Sequence, residues 1–535
     1  VIVTVTWHVP KNNVLDRLPV PAVTPEDAAR ARERFEAPWV RLHVVRTLAA
    51  AASLSMLLPL CSSAEPRESE DVPRAGIELP HGVAEWWCKY SCGLMNGPGG
   101  KRFYIETLGC PKNAVDSDKV AASLFADGLV PVAEAADADV VVVNTCAFVE
   151  AAREESIETI LSLAATRREG ARLVVTGCLA ERAGAELAAA LPEVDAVVGF
   201  SGEGSIAETV HLGPPQRKPT GVRDLLELPR AAPAAPWAYV KIAEGCDRAC
   251  AFCAIPSFRG KQRSRSPESI EAEVRALVEG GVAEVVLVAQ DLAWYGRDAG
   301  EPGSLAPLLR RLDRLAPDGL ARVRLLYLYP SEVRDPLVAT MLELGTVVPY
   351  FDLSLQHSDR ALLRAMKRWG SGDQFLGAIE SIRGADAGAT FRSSFIVGFP
   401  GEGEPEHDAL LAFLDAAQLD WAGFFAFSKE DGTPAAAMAG AARRELVGEW
   451  LRECEEAQEA ITRAARDALV GSEVEVLVDA RDDETGGLVG RTYREAPEID
   501  GLVHLDAEWA RPGAIVRAHV TDAAGTDLVA KGVPA

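Results

Sequence analysis

Three apolar stretches between residues 102 and 177 each run straight into a cysteine, and no other feature constrains the fold of this chain as strongly. RFYIETLG precedes Cys110, ADVVVVNT precedes Cys146 and ARLVVTG precedes Cys178. Runs this short and this apolar read as strands buried on both faces. Helical stretches lie between them, such as AAREESIETILSLAATRREG, where Gly170 is expected to serve as the C-cap. Alternation of this kind predicts βα units on a parallel, Rossmann-like sheet. The cysteines stand 36 and 32 positions apart, each close to one βα repeat of roughly 30 residues. Loops leaving the carboxyl ends of parallel strands converge on one edge, so the three thiols are expected to meet there. A single cysteine at a strand end is usually a small buried hydrophobe. Three in phase argue against that.

A second series follows, with strands expected near WAYVKIAEG, AEVVLVAQD, RVRLLYLYP, YFDLSLQH, FRSSFIVGF and WAGFFAFSK. Ser266-Pro267-Glu268 is a helix start that combines an N-cap, a first-turn proline and an early acid, and Gly280-Gly281 ends that helix. Six successive units imply an incomplete (β/α)6 barrel. From Gly471 the pattern changes to short alternating strands between turns, the mark of a small all-β barrel. The chain is thus expected to be α/β and multidomain: an N-terminal domain over 101–217, a Pro-rich linker over 218–236, the partial barrel over 237–466 and the β-barrel over 467–535. Residues 1–100 lack clear periodicity and are expected to be a poorly ordered extension or a mis-assigned start, with the functional protein beginning near Met95.

A chain of 535 residues exceeds what one hydrophobic core supports. Its 55 Lys+Arg against 79 Asp+Glu give a net charge of -24, which argues against a broad basic surface for nucleic acid and favours a basic partner. Ten cysteines in this length do not form a disulfide scaffold. No apolar run is long enough to cross a bilayer; the nearest, Leu48 to Leu60, resembles a secretory h-region but lies far from the start. No membrane partner is expected, and reactive thiols fit a reducing, cytoplasmic compartment.

Cys246, Cys250 and Cys253 form a C-x3-C-x2-C run directly after a barrel strand, at the mouth where such folds hold their active sites. A structural zinc site wants four ligands, and no histidine or fourth cysteine is near in sequence. Three thiolates suit a 4Fe-4S cluster with one iron left open for substrate. The remaining alternatives are zinc with a distant fourth ligand, or unrelated thiols.

This spacing resembles the signature of the radical S-adenosylmethionine (SAM) superfamily. The resemblance implies that the open iron chelates SAM and that one electron cleaves it to methionine and a 5'-deoxyadenosyl radical, chemistry that belongs to the cofactor. YIETLGCPKNAVDSD at Tyr104 to Asp118, NTCAFVEAAREESIETI from Asn144, TGCLAER from Thr176 and YVKIAEGCDRACAFCAIPSFRGKQRSR from Tyr239 resemble the methylthiotransferases, from Arg102 to Pro534. That family carries a second 4Fe-4S cluster in its N-terminal domain and ends in a TRAM domain. By this likeness Cys110, Cys146 and Cys178 hold the auxiliary cluster, and Cys246, Cys250 and Cys253 the SAM-cleaving one.

Family members modify either a tRNA adenosine or an aspartate of the twelfth small-subunit ribosomal protein, S-twelve. LYLYP at Leu326, GFFAFSKEDGTPA from Gly423 and GRTYREAPEIDGLVHL from Gly490 are similar to the second branch. Residues 468 to 535 hold 13 acidic and 6 basic side chains, net -7, whereas a tRNA-gripping barrel should be basic. The likeness implies a methylthio group placed on the aspartate β-carbon, one SAM methylating sulfur and another supplying the radical. A low-potential donor such as flavodoxin or ferredoxin and a sulfur carrier would then be partners. Gln290, Asp291, Gln356 and His357 lie at strand ends facing the mouth and are candidates to contact SAM or substrate, or else loop-anchoring polar residues; Gly398 and Glu402 of the GFPGE segment are candidates near SAM, or else turn formers. Arg259, Lys261, Arg263 and Arg265 are expected at a solvated face or a domain interface more than at phosphate. Cys454 is expected to be a bystander.

Overall fold

The structure, a computed structural model, describes residues 101–206, 224–231, 233–482 and 486–534. The expectations for residues 1–100, and for most of the linker, fall outside these ranges.

The first domain is a five-stranded parallel sheet in the order β2-β1-β3-β4-β5, from β1 (Arg102–Thr107), β2 (Val130–Pro131), β3 (Val140–Thr145), β4 (Arg172–Gly177) and β5 (Ala196–Val197). All of β3, VVVVNT, is buried because helices cover both faces. Val140 and Val142 pack with Val120 and Leu124 of α1 (Pro111–Ala126). Val141 and Val143 point the other way, to Ile160 of α2 (Glu150–Thr166) and Leu187 of α3 (Cys178–Ala190). Helix α2 ends at Thr166, not at Gly170. Its C-cap is Arg167 in an extended conformation, and Gly170, at φ +80°, serves the following turn.

The second domain is the expected partial (β/α)6 barrel. β6 (Trp237–Lys241), β9 (Glu284–Val288) and β10 (Arg322–Leu325) form one parallel sheet, after a short ribbon of β7 (Ala243–Glu244) and β8 (Arg263–Ser264). β11 (Tyr350–Gln356), β12 (Thr390–Val397) and β13 (Trp421–Ala426) form the other. Parallel bridges Val323–Val347 and Leu328–Leu353 join the two, leaving β6 and β13 as free edges. The helices outside are α4 (Ile255–Arg259), α5 (Pro267–Glu279), α6 (Leu305–Asp313), α7 (Asp335–Glu343), α8 (Arg360–Ala365), α9 (Gly372–Ala385), α10 (Glu404–Ala417) and α11 (Arg444–Asp467). Helix α5 begins as its sequence dictates: the Ser266 side chain accepts from Ser269 N, and Pro267 follows.

The first domain bridges both free edges. Asp116 of α1 pairs with Lys241 of β6, and Val115 enters the lumen core beside Tyr239 and Val286. On the other side Arg153 and Arg182 both reach Glu430, beyond β13, at 2.6 Å.

The C-terminal domain is a closed barrel in the order β14-β15-β16-β18-β17, with β14 (Glu473–Arg481), β15 (Leu488–Arg491), β16 (Val503–Asp506), β17 (Ile515–Ala524) and β18 (Asp527–Gly532). The segment between β15 and β16 plugs the amino-terminal end of the partial barrel, opposite the cysteine mouth. Arg491 pairs with Glu284 at 2.9 Å, and Tyr350 Oη donates to Asp500 at 2.6 Å. Trp421 Nε1 donates to the Arg494 carbonyl at 2.8 Å.

Candidate functional site

Cys110 is the N-cap of α1, Cys146 follows β3, and Cys178 opens α3, so all three leave the carboxyl edge of the first sheet. Two devices draw them together. Gly109 has φ +93°, and a Cβ there would lie 2.8 Å from both Cβ and Sγ of Cys146; only glycine allows this approach. Asn113 spans the strand ends, donating from Nδ2 to the carbonyls of Leu108 at 2.8 Å and Thr145 at 3.0 Å, while Oδ1 faces Cys178 Sγ at 3.6 Å.

The electrostatics of this trio are cationic. Arg259 Nη2 donates to Cys178 Sγ at 3.1 Å and to Asn113 Oδ1 at 2.7 Å, and the guanidinium lies over the Phe200 ring. Lys112 Nζ lies 3.7 Å from the centre of the Tyr327 ring. Burial pushes the Cys146 thiol up to about 12, and burial likewise raises Cys178 against the pull of Arg259. Cys110 goes the other way: burial would raise it, but Lys112 and Arg259 outweigh burial and lower it.

The second trio comes from one loop. Gly245, at φ +77°, starts it where a Cβ would fall 2.1 Å from the Lys261 carbonyl oxygen. Cys246 N donates to the Gly260 carbonyl at 3.1 Å, and Ala251 N to the Met366 carbonyl at 2.9 Å. Arg248 N donates to Cys246 Sγ at 3.4 Å, and Arg368 Nη1 to Cys250 Sγ at 3.5 Å. Burial pushes Cys246 up to about 11 and Cys253 up to about 12. Within each trio the thiols feel one another's charge. Among the described residues, no three Cys, His, Asp or Glu side chains converge on a single metal ion.

A buried ionic relay joins the trios. Arg259, six residues after Cys253, pairs with Glu244 at 3.0 Å and with Asp116 at 3.2 Å. Glu244, two residues before Cys246, also takes Lys241 at 2.6 Å and Gln290 Nε2 at 2.8 Å. Burial alone would raise the Glu244 carboxyl, but Arg259 and Lys241 hold it far below the usual range. Arg259 therefore lies at the domain interface, one of the two settings expected for it. Arg265 is also buried and pairs with Glu273 at 2.6 Å, while Arg263 is exposed against Asp224.

The remaining candidates divide. Gln290 Oε1 and Asp291 Oδ1 are buried without a partner, beside the cysteine loop. Asp291 Oδ2 accepts from Arg248 Nε at 2.7 Å, and burial raises its carboxyl despite that arginine. Two orphan acceptors at this place fit a ligand that brings N–H or O–H donors. The Glu402 carboxylate is already engaged: Oε2 accepts from Gly398 N at 2.6 Å and Phe399 N at 3.1 Å, and Oε1 faces His357 Nε2 at 3.4 Å. Gly398 is required by φ +83° and by Val447 of α11, whose methyl would lie 2.5 Å from a Cβ. Gln356 adopts φ +75°, at the irregularity that ends β11. Cys454 is buried in the core between α10 and α11, apart from both trios.

Sequence reasoning did not single out Lys112, Asn113, Lys241, Glu244, Arg248 or Arg368. Lys241 alone carried a signal, as a lysine inside an otherwise apolar strand.

Family models match in three places: Uncharacterized protein family UPF0004 over residues 102–199, the Radical SAM superfamily over 240–414 and the TRAM domain over 470–533. The ribosomal protein uS12 methylthiotransferase RimO of Anaeromyxobacter sp. (strain K) is 44% identical over 440 residues, covering 81% of this chain and 93% of that protein. The chain belongs to the uS12 methylthiotransferase family. Its counterpart in Saccharopolyspora erythraea is 41% identical over 473 residues, covering 81% of this chain and 96% of that protein. Among solved structures, the radical SAM methyltransferase TsrM from Kitasatospora setae superposes with TM-score 0.47 at 14% identity, over 63% of this chain and 77% of that one. Membership of this family brings a 4Fe-4S cluster and SAM, to which the C-x3-C-x2-C loop and the two orphan acceptors are suited. No helix among the described residues is long and apolar enough to cross a membrane.

Proposed function

We propose that this chain places a methylthio group on the β-carbon of an aspartate in ribosomal protein uS12. In this reading Cys246, Cys250 and Cys253 hold one 4Fe-4S cluster, and Cys110, Cys146 and Cys178 hold a second that handles sulfur. The observation that carries it is the pair of three-cysteine sites joined by a single buried guanidinium, Arg259, which touches Cys178 and Glu244. A 4Fe-4S cluster on the barrel trio, when bound, supplies the electron that cleaves SAM. Gln290 Oε1 and Asp291 Oδ1 accept from SAM, while Gly398 and Glu402 serve it indirectly by fixing the turn at the end of β12. Lys112 and Arg259 offset the negative charge that thiolate-bound iron would bring into the first domain. The domains are read as 101–217, 237–466 and 467–535, and the enzyme as cytoplasmic, served by a low-potential electron carrier and a sulfur carrier.

The acidic C-terminal barrel, net -7 over residues 468 to 535, supports a cationic protein substrate over tRNA. The test is anaerobic reconstitution followed by SAM, reductant and either uS12 or tRNA. Methylthiolated uS12 is expected. Modified tRNA with untouched uS12 would overturn the substrate.

A further inference from the structure

We propose that the basic face formed by Arg360, Arg364 and Lys367 around Trp369 is where an acidic, low-potential electron-carrier protein docks to reduce the barrel cysteine site. The inference rests on the reading of that site as a reducible iron–sulfur centre, and adds where its electron arrives.

On a chain of net charge -24 an acidic partner is repelled over most of the surface, so a local group of cations decides where it can approach. RALLRAMKRW, residues 360–369, has four cations and no acid. Spacings of four and three residues put Arg360, Arg364 and Lys367 on one side of α8 and its last turn. Leu362, Leu363 and Met366 are buried on the other. The three cations are exposed and make no ion pair to a described residue. Arg275, by contrast, is exposed but paired with Asp318 at 2.8 Å.

The turn itself points to a role. Lys367 has φ +54°, a left-handed position after a helix where glycine is favoured, and Arg368 N closes the turn on the Leu363 carbonyl at 2.7 Å. A lysine here keeps a cation at the cost of backbone strain. The same turn sends Arg368 inward, where Nη1 lies 3.5 Å from Cys250 Sγ and the guanidinium lies 4.0 Å from the centre of the Tyr329 ring. Trp369 N donates to Tyr329 Oη at 3.3 Å, while its indole stays 43% exposed. One arginine and one tyrosine thus separate an exposed aromatic ring from a cysteine of the site. The step moves one electron and no atoms: a carrier flavin hydroquinone becomes the semiquinone, and the iron–sulfur centre is reduced by one electron. A basic uS12 is repelled from this face, so substrate and electron carrier need not compete for it.

The experiment uses the full chain, loaded anaerobically, as wild type and as Arg360→Glu/Arg364→Glu/Lys367→Glu. SAM cleavage to methionine is followed with flavodoxin hydroquinone and, separately, with dithionite. The triple variant is expected to be at least tenfold slower with flavodoxin and unchanged with dithionite, and only the wild-type flavodoxin rate should fall steeply with salt. Lys367→Gly provides a second variant: it relieves the strained turn and should raise Tm while slowing the flavodoxin reaction. Unchanged flavodoxin rates in both variants would overturn the proposal. Loss of binding to ribosomal RNA with flavodoxin rates intact would overturn it in favour of an RNA contact. Absence of SAM cleavage with dithionite in the wild type would instead sink the reading of the cysteine site.

Discussion

The two cysteine trios reach similar thiol sites by opposite routes. The barrel trio spans eight consecutive residues of one loop, and local hydrogen bonds to Gly260 and Met366 shape it. The first-domain trio is spread over 69 positions and is brought together by sheet topology, Gly109 and the reach of Asn113. Their charge environments differ as well. Arg248, beside Cys246, is bound to both Asp291 and Glu332, which leaves Arg368 at Cys250 as the cation facing that trio without an acid partner of its own among the described residues. Cys110 and Cys178 face Lys112 and Arg259, a setting suited to a more negative occupant. A loop can be assembled by its own backbone, whereas a site built across strand ends depends on long-range contacts, so the first-domain site should be the more fragile.

The largest expected effect separates the two sites outright. Cys250→Ala should abolish SAM cleavage. Cys146→Ala should preserve SAM cleavage, abolish methylthio transfer and lower iron from about eight to about four per chain, as two 4Fe-4S centres require. Loss of SAM cleavage in Cys146→Ala would break the comparison.

Arg259→Gln comes next. It removes the donor to Cys178 and leaves Asp116 and Glu244 with Lys241 as their remaining buried cation, a loss of about 3–5 kcal/mol by analogy with other broken buried pairs. A fall in Tm is expected, together with a lower reduction potential of the first-domain centre, because an N–H···S bond favours the more negative state. Arg259→Lys keeps the charge but not the planar fork, so it should recover Tm more than potential.

Gly109→Ala should act on one site alone. The added methyl at φ +93° meets Cys146, so iron in the first domain should fall while SAM cleavage stays near wild type. Equal loss at both sites, read by iron analysis and methionine release, would mean that the trios are not independent.

The smallest effect on the comparison is expected at Glu284, at the opposite end of the barrel. Burial would raise its carboxyl, but Arg324, Arg491 and Arg322 outweigh burial and bring it down to about 2. A depressed carboxylate stabilises the fold above its unfolded value near 4.5, and this contribution is lost as pH falls through about 2. Glu284→Gln should therefore lower Tm at neutral pH, flatten the acid limb between about pH 4.5 and 2, and leave the iron content of both sites unchanged.

The strands, the helix start at Ser266 and the placement of Cys110, Cys146 and Cys178 at one edge of the sheet were legible because buried strands and βα spacing are local patterns. The relay was not. Arg259 lies 81 positions from Cys178 and 143 from Asp116, and Arg368 lies 118 from Cys250, so nothing in local spacing announces these pairs. Glu402 shows the converse: a carboxylate at a strand end looked available to a ligand, whereas its oxygens hold the backbone of its own turn. Gly170 similarly belongs to a turn, since α2 has already ended at Thr166. The string from Gly490 that resembles the uS12 branch proves to plug the barrel floor, a role that depends on partners as far away as Tyr239, whose hydroxyl donates to the Pro497 carbonyl at 3.0 Å.

The most direct test of two separate centres is iron analysis with EPR on the triple variant Cys246→Ala/Cys250→Ala/Cys253→Ala after anaerobic reconstitution. Two separate centres predict about four iron per chain, a reducible 4Fe-4S signal and no SAM cleavage. A chain without iron, or with zinc in its place, would contradict it.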